Sequence, residues 1–159
     1  MSIVPFEEKY FPQLTEIFRI VVAKGDSFVY GDNYADADVR RVWTDSGAAF
    51  CYLADGKVAG SFVIRQNKPD RGGHVCNAGF MVKPECRGRG IATGMCAFAL
   101  EEAKKMGYDA MQFNFVVSTN TQAVTLWKKM GFAIIGTVPK AYRHASAGLV
   151  DVHIMHRFL

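Results

Sequence analysis

The sequence predicts one mixed α/β domain over residues 1–159, with an antiparallel middle to its sheet, and three observations carry that expectation. Strand-like and helix-like runs follow one another in the order β, α, α, β, β, β, α, β, α, β, β, which suits helices packed on a mixed sheet. Asp55-Gly56 stands between two β-like runs, the strongest short hairpin signal a chain offers. A Gly-rich turn, Arg87 to Gly90, divides a strand pattern from a helix pattern. The length of 159 residues suits a single packed core, and 12 Phe, 6 Tyr and 2 Trp supply the apolar area that offsets chain entropy.

The elements follow in order. Ser2 to Phe6 reads as a short strand. From Phe11 to Ala23, the residues Phe11, Leu14, Ile17, Phe18, Val21 and Val22 recur at helical spacing, with Pro12 as an early-helix residue. The polar, aromatic stretch from Lys24 to Asp38 is expected to be a loop that sets specificity, leading to a short helix through Val39, Val42 and Trp43. Residues 48–54 and 57–65 are the hairpin strands, and 74–82 is a third strand stopped by Pro84. A helix from Ile91 to Met106 ends at Gly107, a strand spans 110–117, and a helix from Asn120 to Met130 ends at Gly131. Residues 132–138 and 150–157 close the chain as an antiparallel pair, and 139–148 is expected to overhang the site.

Composition narrows the function. The balance of 19 Lys plus Arg against 15 Asp plus Glu gives +4, dispersed except at Lys83, Arg87 and Arg89, so no nucleic-acid stripe is expected. No run reaches the roughly 18 apolar residues of a membrane span. The first residues lack a secretory pattern, and a cytoplasmic location is expected. Cys51, Cys76, Cys86 and Cys96 form no close pair, which points to reduced thiols and no metal site.

The informative segment is Arg87-Gly88-Arg89-Gly90-Ile91-Ala92-Thr93-Gly94. Glycines let backbone approach a ligand, and the free N–H groups at the start of the helix favour a phosphate or diphosphate. A P-loop requires Gly-Lys-Ser/Thr, and Ile91-Ala92 stands there instead. A dinucleotide fingerprint spaces its glycines at one, three and six, whereas Gly88, Gly90 and Gly94 fall at one, three and seven. A tight turn with solvated arginines is the plain alternative.

Arg-x-x-Gly-x-Ala, here Arg87 to Ala92, resembles the acyl-CoA motif of the GNAT superfamily of N-acetyltransferases. Asn120-x-x-Ala123-x-x-Leu126-Trp127-x-x-x-Gly131-Phe132 is similar to the second signature of that family, and Val150-Asp151 to Met155 to its last strand. The resemblance implies a twisted, mostly antiparallel sheet with a splayed parallel pair and helices on both faces. It implies acetyl-CoA as cosubstrate: Met81 and Val82 pairing with the pantetheine arm, Arg87, Gly88, Arg89, Gly90, Ile91, Ala92 and Thr93 holding the diphosphate, and Asn120 bonding the arm from the far side. A backbone N–H near 80–82, assigned to Met81, is the expected oxyanion donor, and a homodimer is the family expectation. His74 to Val82, with Phe113-Asn114 and Thr119-Asn120, also resembles the fungal acetyltransferases of azetidine-2-carboxylate and related proline analogues.

Direct attack on a thioester requires a neutral amine, a donor for the developing oxyanion and a proton for the leaving thiolate. The family often places a Tyr acid where Trp127 stands; an indole N–H donates but does not ionise usefully, so water is the expected proton source, and at helical spacing with Val124 and Met130 the ring reads first as packing. No carboxylate lies on the 74–82 strand. Asn77 and Asn114, polar residues inside adjacent strands, are the candidates for positioning a small acceptor, with local backbone bonding as the alternative. His74, His144, His153 and His156 are solitary candidate bases, and Tyr142 or Arg143 a possible contact for an acidic group or plain loop residues. The expected function is acetyl transfer to a small amine, an amino- or imino-acid analogue or toxic metabolite, which would make it a detoxification enzyme. A peptide N-acetyltransferase and a non-catalytic acyl-CoA sensor are the alternatives.

Overall fold

In a computed structural model, residues 2–159 are described. Strands β1 (Ser2–Pro5), β2 (Ala48–Ala54), β3 (Lys57–Gln66), β4 (Val75–Val82), β5 (Ala110–Val117), β6 (Ala133–His144) and β7 (Gly148–Phe158) form one sheet in the order β1-β2-β3-β4-β5-β7-β6. Every neighbouring pair is antiparallel except β4 and β5.

Alternation along the strands divides the core into two layers. On one face Phe50, Phe62, Ile64, Cys76 and Ala78 pack against α3 (Ile91–Lys105), and Trp127 of α4 (Thr121–Lys129) joins them from the same side. On the other, Ala49, Cys51, Val63 and Met81 meet α1 (Phe11–Val22) and Trp43. The helix expected through Val39 to Trp43 is a short α2 (Asp36–Val39) running into a π-turn over Arg40–Thr44. Trp43, fully buried, donates from Nε1 to Ser61 Oγ at 2.9 Å, and Ser61 Oγ donates to Phe50 O at 2.8 Å, so that the polar edge of the ring is satisfied inside the core.

The expected strand limits hold except at the last pair. β6 continues through Pro139 to His144, where a loop was expected. A register shift between Val138 and Tyr142, with Lys140 at φ +52°, absorbs the proline and lets the strand resume. Lys140 N–H donates to Asp151 Oδ1 at 2.9 Å, which holds the irregular segment to β7.

Candidate functional site

The site begins where two strands part. β4 and β5 pair only at Val75–Ala110 and Cys76–Met111. Beyond those rungs, Asn77 Nδ2 donates to Gln112 O at 2.8 Å, a side chain standing in for the next backbone bond. On β5 the register with β7 shifts between Phe113–Met155 and Val116–His153, a bulge that sets Asn114 and Phe115 against one residue of the partner strand.

The register of β4 with β3 decides which amides enter the gap. Lys83 N–H donates to Ala59 O and Asn67 N–H to Val75 O, both at 2.9 Å, so odd-numbered residues of β4 turn their backbone groups toward β3. Met81 therefore pairs with Ser61, and its side chain, 2% exposed, lies in the core under α1. This corrects the expectation for Met81: its N–H is committed to the sheet. The backbone groups of Ala78, Phe80 and Val82 face the departing β5.

The Gly-rich turn closes the far end. Gly88 and Gly90 adopt φ +75° and +76°, and nothing lies within 4 Å of where either would carry a Cβ. Their conformation demands glycine, and the space in front of them is open. Gly94 N–H is the amide that bonds back to Gly90 O, at 2.9 Å, which leaves the N–H groups of Ile91, Ala92 and Thr93 directed out of a 15-residue helix with its positive dipole end. Arg87 lines the cleft, whereas Arg89 is exposed and does not. Lys83 is drawn away by Glu85 at 3.0 Å.

The resulting cleft, ≈ 400 Å³, is walled by Phe80, Val82, Arg87, Gly90, Asn120 and Trp127 among others. Asn120 caps α4, its Oδ1 accepting from Ala123 N–H at 3.2 Å, and Nδ2 has no hydrogen-bond partner among the described residues. Trp127 is both packing and lining: its ring stands 5.2 Å from Phe80 and 4.8 Å from Phe113.

A second chamber of ≈ 290 Å³ adjoins it, and Ser27 and Phe28 line both. Asn77 and Asn114 meet here, with Phe28, Tyr30, Arg65 and Phe115. Both asparagines already hold protein partners. Asn77 Oδ1 accepts from Arg65 Nε at 3.2 Å, and Asn114 donates to Asn67 Oδ1 at 2.6 Å while accepting from Gln112 Nε2 at 2.9 Å.

Sequence reasoning passed over Asp26, Ser27, Phe28 and Arg65. The loop supplies the first three, and no local pattern marks which loop residues face inward. Asp26 lines the larger cleft near the junction, a carboxylate where strand-based reading found none. Tyr142 Oη donates to Phe28 O at 3.1 Å and Ala145 N–H to Gly25 O at 2.9 Å, so the β6–β7 hairpin clamps the loop. Burial, with Asp26 nearby, pushes the Tyr142 phenol above its usual range and keeps it a neutral donor. The acidic contact expected of Tyr142 is thus a loop contact.

None of the four histidines lines either chamber. His144 Nδ1 accepts from Ser146 N–H at 3.1 Å in the hairpin turn, and His153 Nδ1 meets Thr137 Oγ1 at 2.9 Å. Among the described residues no three His, Cys, Asp or Glu side chains gather as a metal would require, and no helix is long and apolar enough to cross a membrane.

Comparison with known proteins adds to this geometry. Residues 14–132 match the profile of the Acetyltransferase (GNAT) family. A solved GCN5-related N-acetyltransferase from Kribbella flavida superposes with a TM-score of 0.94 at 39% identity, covering 99% of this chain and 97% of that one. N-acetyltransferase aca1 of Schizosaccharomyces pombe is 35% identical over 96 residues, 60% of this chain and 46% of that protein. The L-amino acid N-acetyltransferase AaaT of Escherichia coli is 30% identical over 104 residues, 65% of this chain and 63% of its own length. The matched segments thus span 46% and 63% of the length of these two curated relatives.

Proposed function

This chain belongs to the GNAT family of acetyltransferases, and from that premise we propose that it transfers an acetyl group from acetyl-CoA to the amine of a small acceptor, an amino acid, imino acid or close analogue. The observation that carries the reading is the pair of chambers meeting at Ser27 and Phe28. The first suits the donor: open space before Gly88 and Gly90, free amides at a helix start for a diphosphate, and unpaired strand edges for an amide-bearing arm. When bound there, acetyl-CoA supplies an activated acetyl thioester.

The protein's own residues do the rest. N–H groups of Phe80 and Val82 face the gap and donate to the oxygen that gains charge during transfer. Arg87 and the amides of Ile91, Ala92 and Thr93 hold phosphate oxygens. Asn120 Nδ2 bonds the arm. Asp26 draws the acceptor's ammonium to the junction, takes one of the ammonium protons and passes that proton to water, leaving a neutral amine to attack. Trp127 Nε1 donates a hydrogen bond to the departing sulfur, and water returns the proton.

The second chamber, ≈ 290 Å³ and walled by aromatic rings, favours a small acceptor over a peptide. The names of two relatives, an N-acetyltransferase and an L-amino acid N-acetyltransferase, agree with that class. The experiment incubates the protein with acetyl-CoA and a panel of amino acids, imino acids, simple amines and peptides, and reads products by mass spectrometry. N-acetylated small amines are expected. Product from peptides alone would replace this reading with a peptide N-acetyltransferase, and saturable acetyl-CoA binding without product would make the chain an acyl-CoA sensor. A single catalytic domain, a homodimer and a cytoplasmic location complete the proposal; sedimentation velocity and cell fractionation test the last two.

A further inference from the structure

We propose, resting on the acetyl-transfer reading, that Arg65 anchors a carboxylate on the acceptor, so that the second chamber selects small amino and imino acids with a free carboxyl group over amines that lack one. Arg65 stands on β3 opposite Asn77, half-buried in the chamber wall. Its guanidinium donates from Nε to Asn77 Oδ1 at 3.2 Å and from Nη1 to Val42 O at 3.1 Å and Ser46 Oγ at 3.3 Å. All three acceptors are neutral.

Three other arginines of this protein are matched differently. Arg19, Arg40 and Arg41 each hold a carboxylate, at 2.6, 2.8 and 2.9 Å. Among the described residues Arg65 forms no ion pair, and no Asp or Glu lines its chamber. A guanidinium withdrawn from water and given only neutral acceptors is a charge awaiting its counter-ion. Nη2 makes no hydrogen bond among the described residues, which leaves its donors available.

The surroundings fit such a ligand. Amides of Asn67, Asn77 and Asn114 surround the single positive charge, and Phe28 and Phe115 offer apolar walls for the acceptor's side chain or ring. Arg65 lines this chamber, and Asp26 lines the donor cleft next to Ser27, a residue common to both. Asn77, bonded to Arg65 Nε on one side and Gln112 O on the other, acts as a positioning residue that aims the guanidinium. The carboxylate recognition that an amide pair would give only weakly falls to the free Nη2 of a charged guanidinium.

The test compares kcat/KM for matched acceptors, an amino acid against its carboxamide and against the decarboxylated amine, in the native protein, Arg65→Gln and Arg65→Lys. The native protein is expected to prefer the acid by about 10- to 100-fold, the worth of one charged hydrogen-bonded contact. Arg65→Gln should bring the acid down to the level of the carboxamide, chiefly through KM, and Arg65→Lys should restore part of the preference. Acetyl-CoA affinity, measured by calorimetry, should stay constant across the three proteins. A native protein that acetylates acid and carboxamide alike overturns the proposal while leaving acetyl transfer intact, and this arm holds even if Arg65→Gln fails to fold. Equal losses for acid and carboxamide in Arg65→Gln overturn it too, because they mark a role in the sheet alone. Absence of product from every amine would remove the transfer reading and the anchor together.

Discussion

At Gly90 one backbone angle bears on both the fold and the proposed donor site. At φ +76° a side chain is strained by about 1–2 kcal/mol wherever it stands. Gly56, in the β2–β3 turn, has φ +75° and equally open surroundings, yet lines neither chamber. The two positions therefore separate strain from function. Gly90→Val and Gly56→Val should each lower Tm by roughly 2–8 °C, and only Gly90→Val should weaken acetyl-CoA binding, by about tenfold or more in calorimetry. Equal affinity in both variants would remove the helix start from the donor site. The arginines beside Gly90 divide as well: Arg87 faces the cleft and Arg89 does not, a difference that Arg-Gly-Arg-Gly gives no means of reading.

Among the elements, the β6–β7 hairpin controls the loop between α1 and α2. Its grip consists of Tyr142 Oη on Phe28 O and Ala145 N–H on Gly25 O. Tyr142→Phe removes the first bond and keeps the ring, which is 7% exposed. The expected cost is about 1 kcal/mol, with faster amide exchange confined to residues 24–34 and a rise in acceptor KM of a few fold. Exchange that speeds uniformly, or not at all, would contradict the clamp. The same region marks where sequence reading stopped. Alternation and the Asp55-Gly56 turn foretold β2 and β3 as a hairpin, because both signals are local, whereas the register shift between Tyr52 and Leu53 has no such signal. The extension of β6 past Pro139 depends on a register shift and on Tyr142 finding its place beneath the loop, which no local pattern encodes. Asn77 and Asn114 were legible as polar residues out of place in strands, whereas Arg65 stands at a strand end like any exposed cation, and its place in the chamber wall comes from the fold alone.

At the scale of the whole molecule, the two core layers hold three thiols that the reaction does not use. Burial pushes Cys51, Cys76 and Cys96 from 9.0 up to about 12. A raised folded value means that the native state keeps its protons after the unfolded chain has lost them, so this stabilisation is complete below pH 9 and disappears as pH climbs toward 12. Each thiol then contributes a slope of about 1.4 kcal/mol per pH unit within that window, before any discount for relaxation around it. The urea midpoint should accordingly be flat from pH 7 to 8.5 and fall steeply by pH 10.5. The phenols of buried Tyr142 and partly buried Tyr108, also raised, act in the same direction. Cys96→Ala separates the contributions: it lowers stability at pH 8 through the volume lost beside α3, yet its midpoint should fall less steeply between pH 9 and 10.5 than that of the native protein. Parallel slopes for the two proteins would show that the thiol titrates alike in both states, and that the layer between α3 and the sheet admits water enough to ionise it.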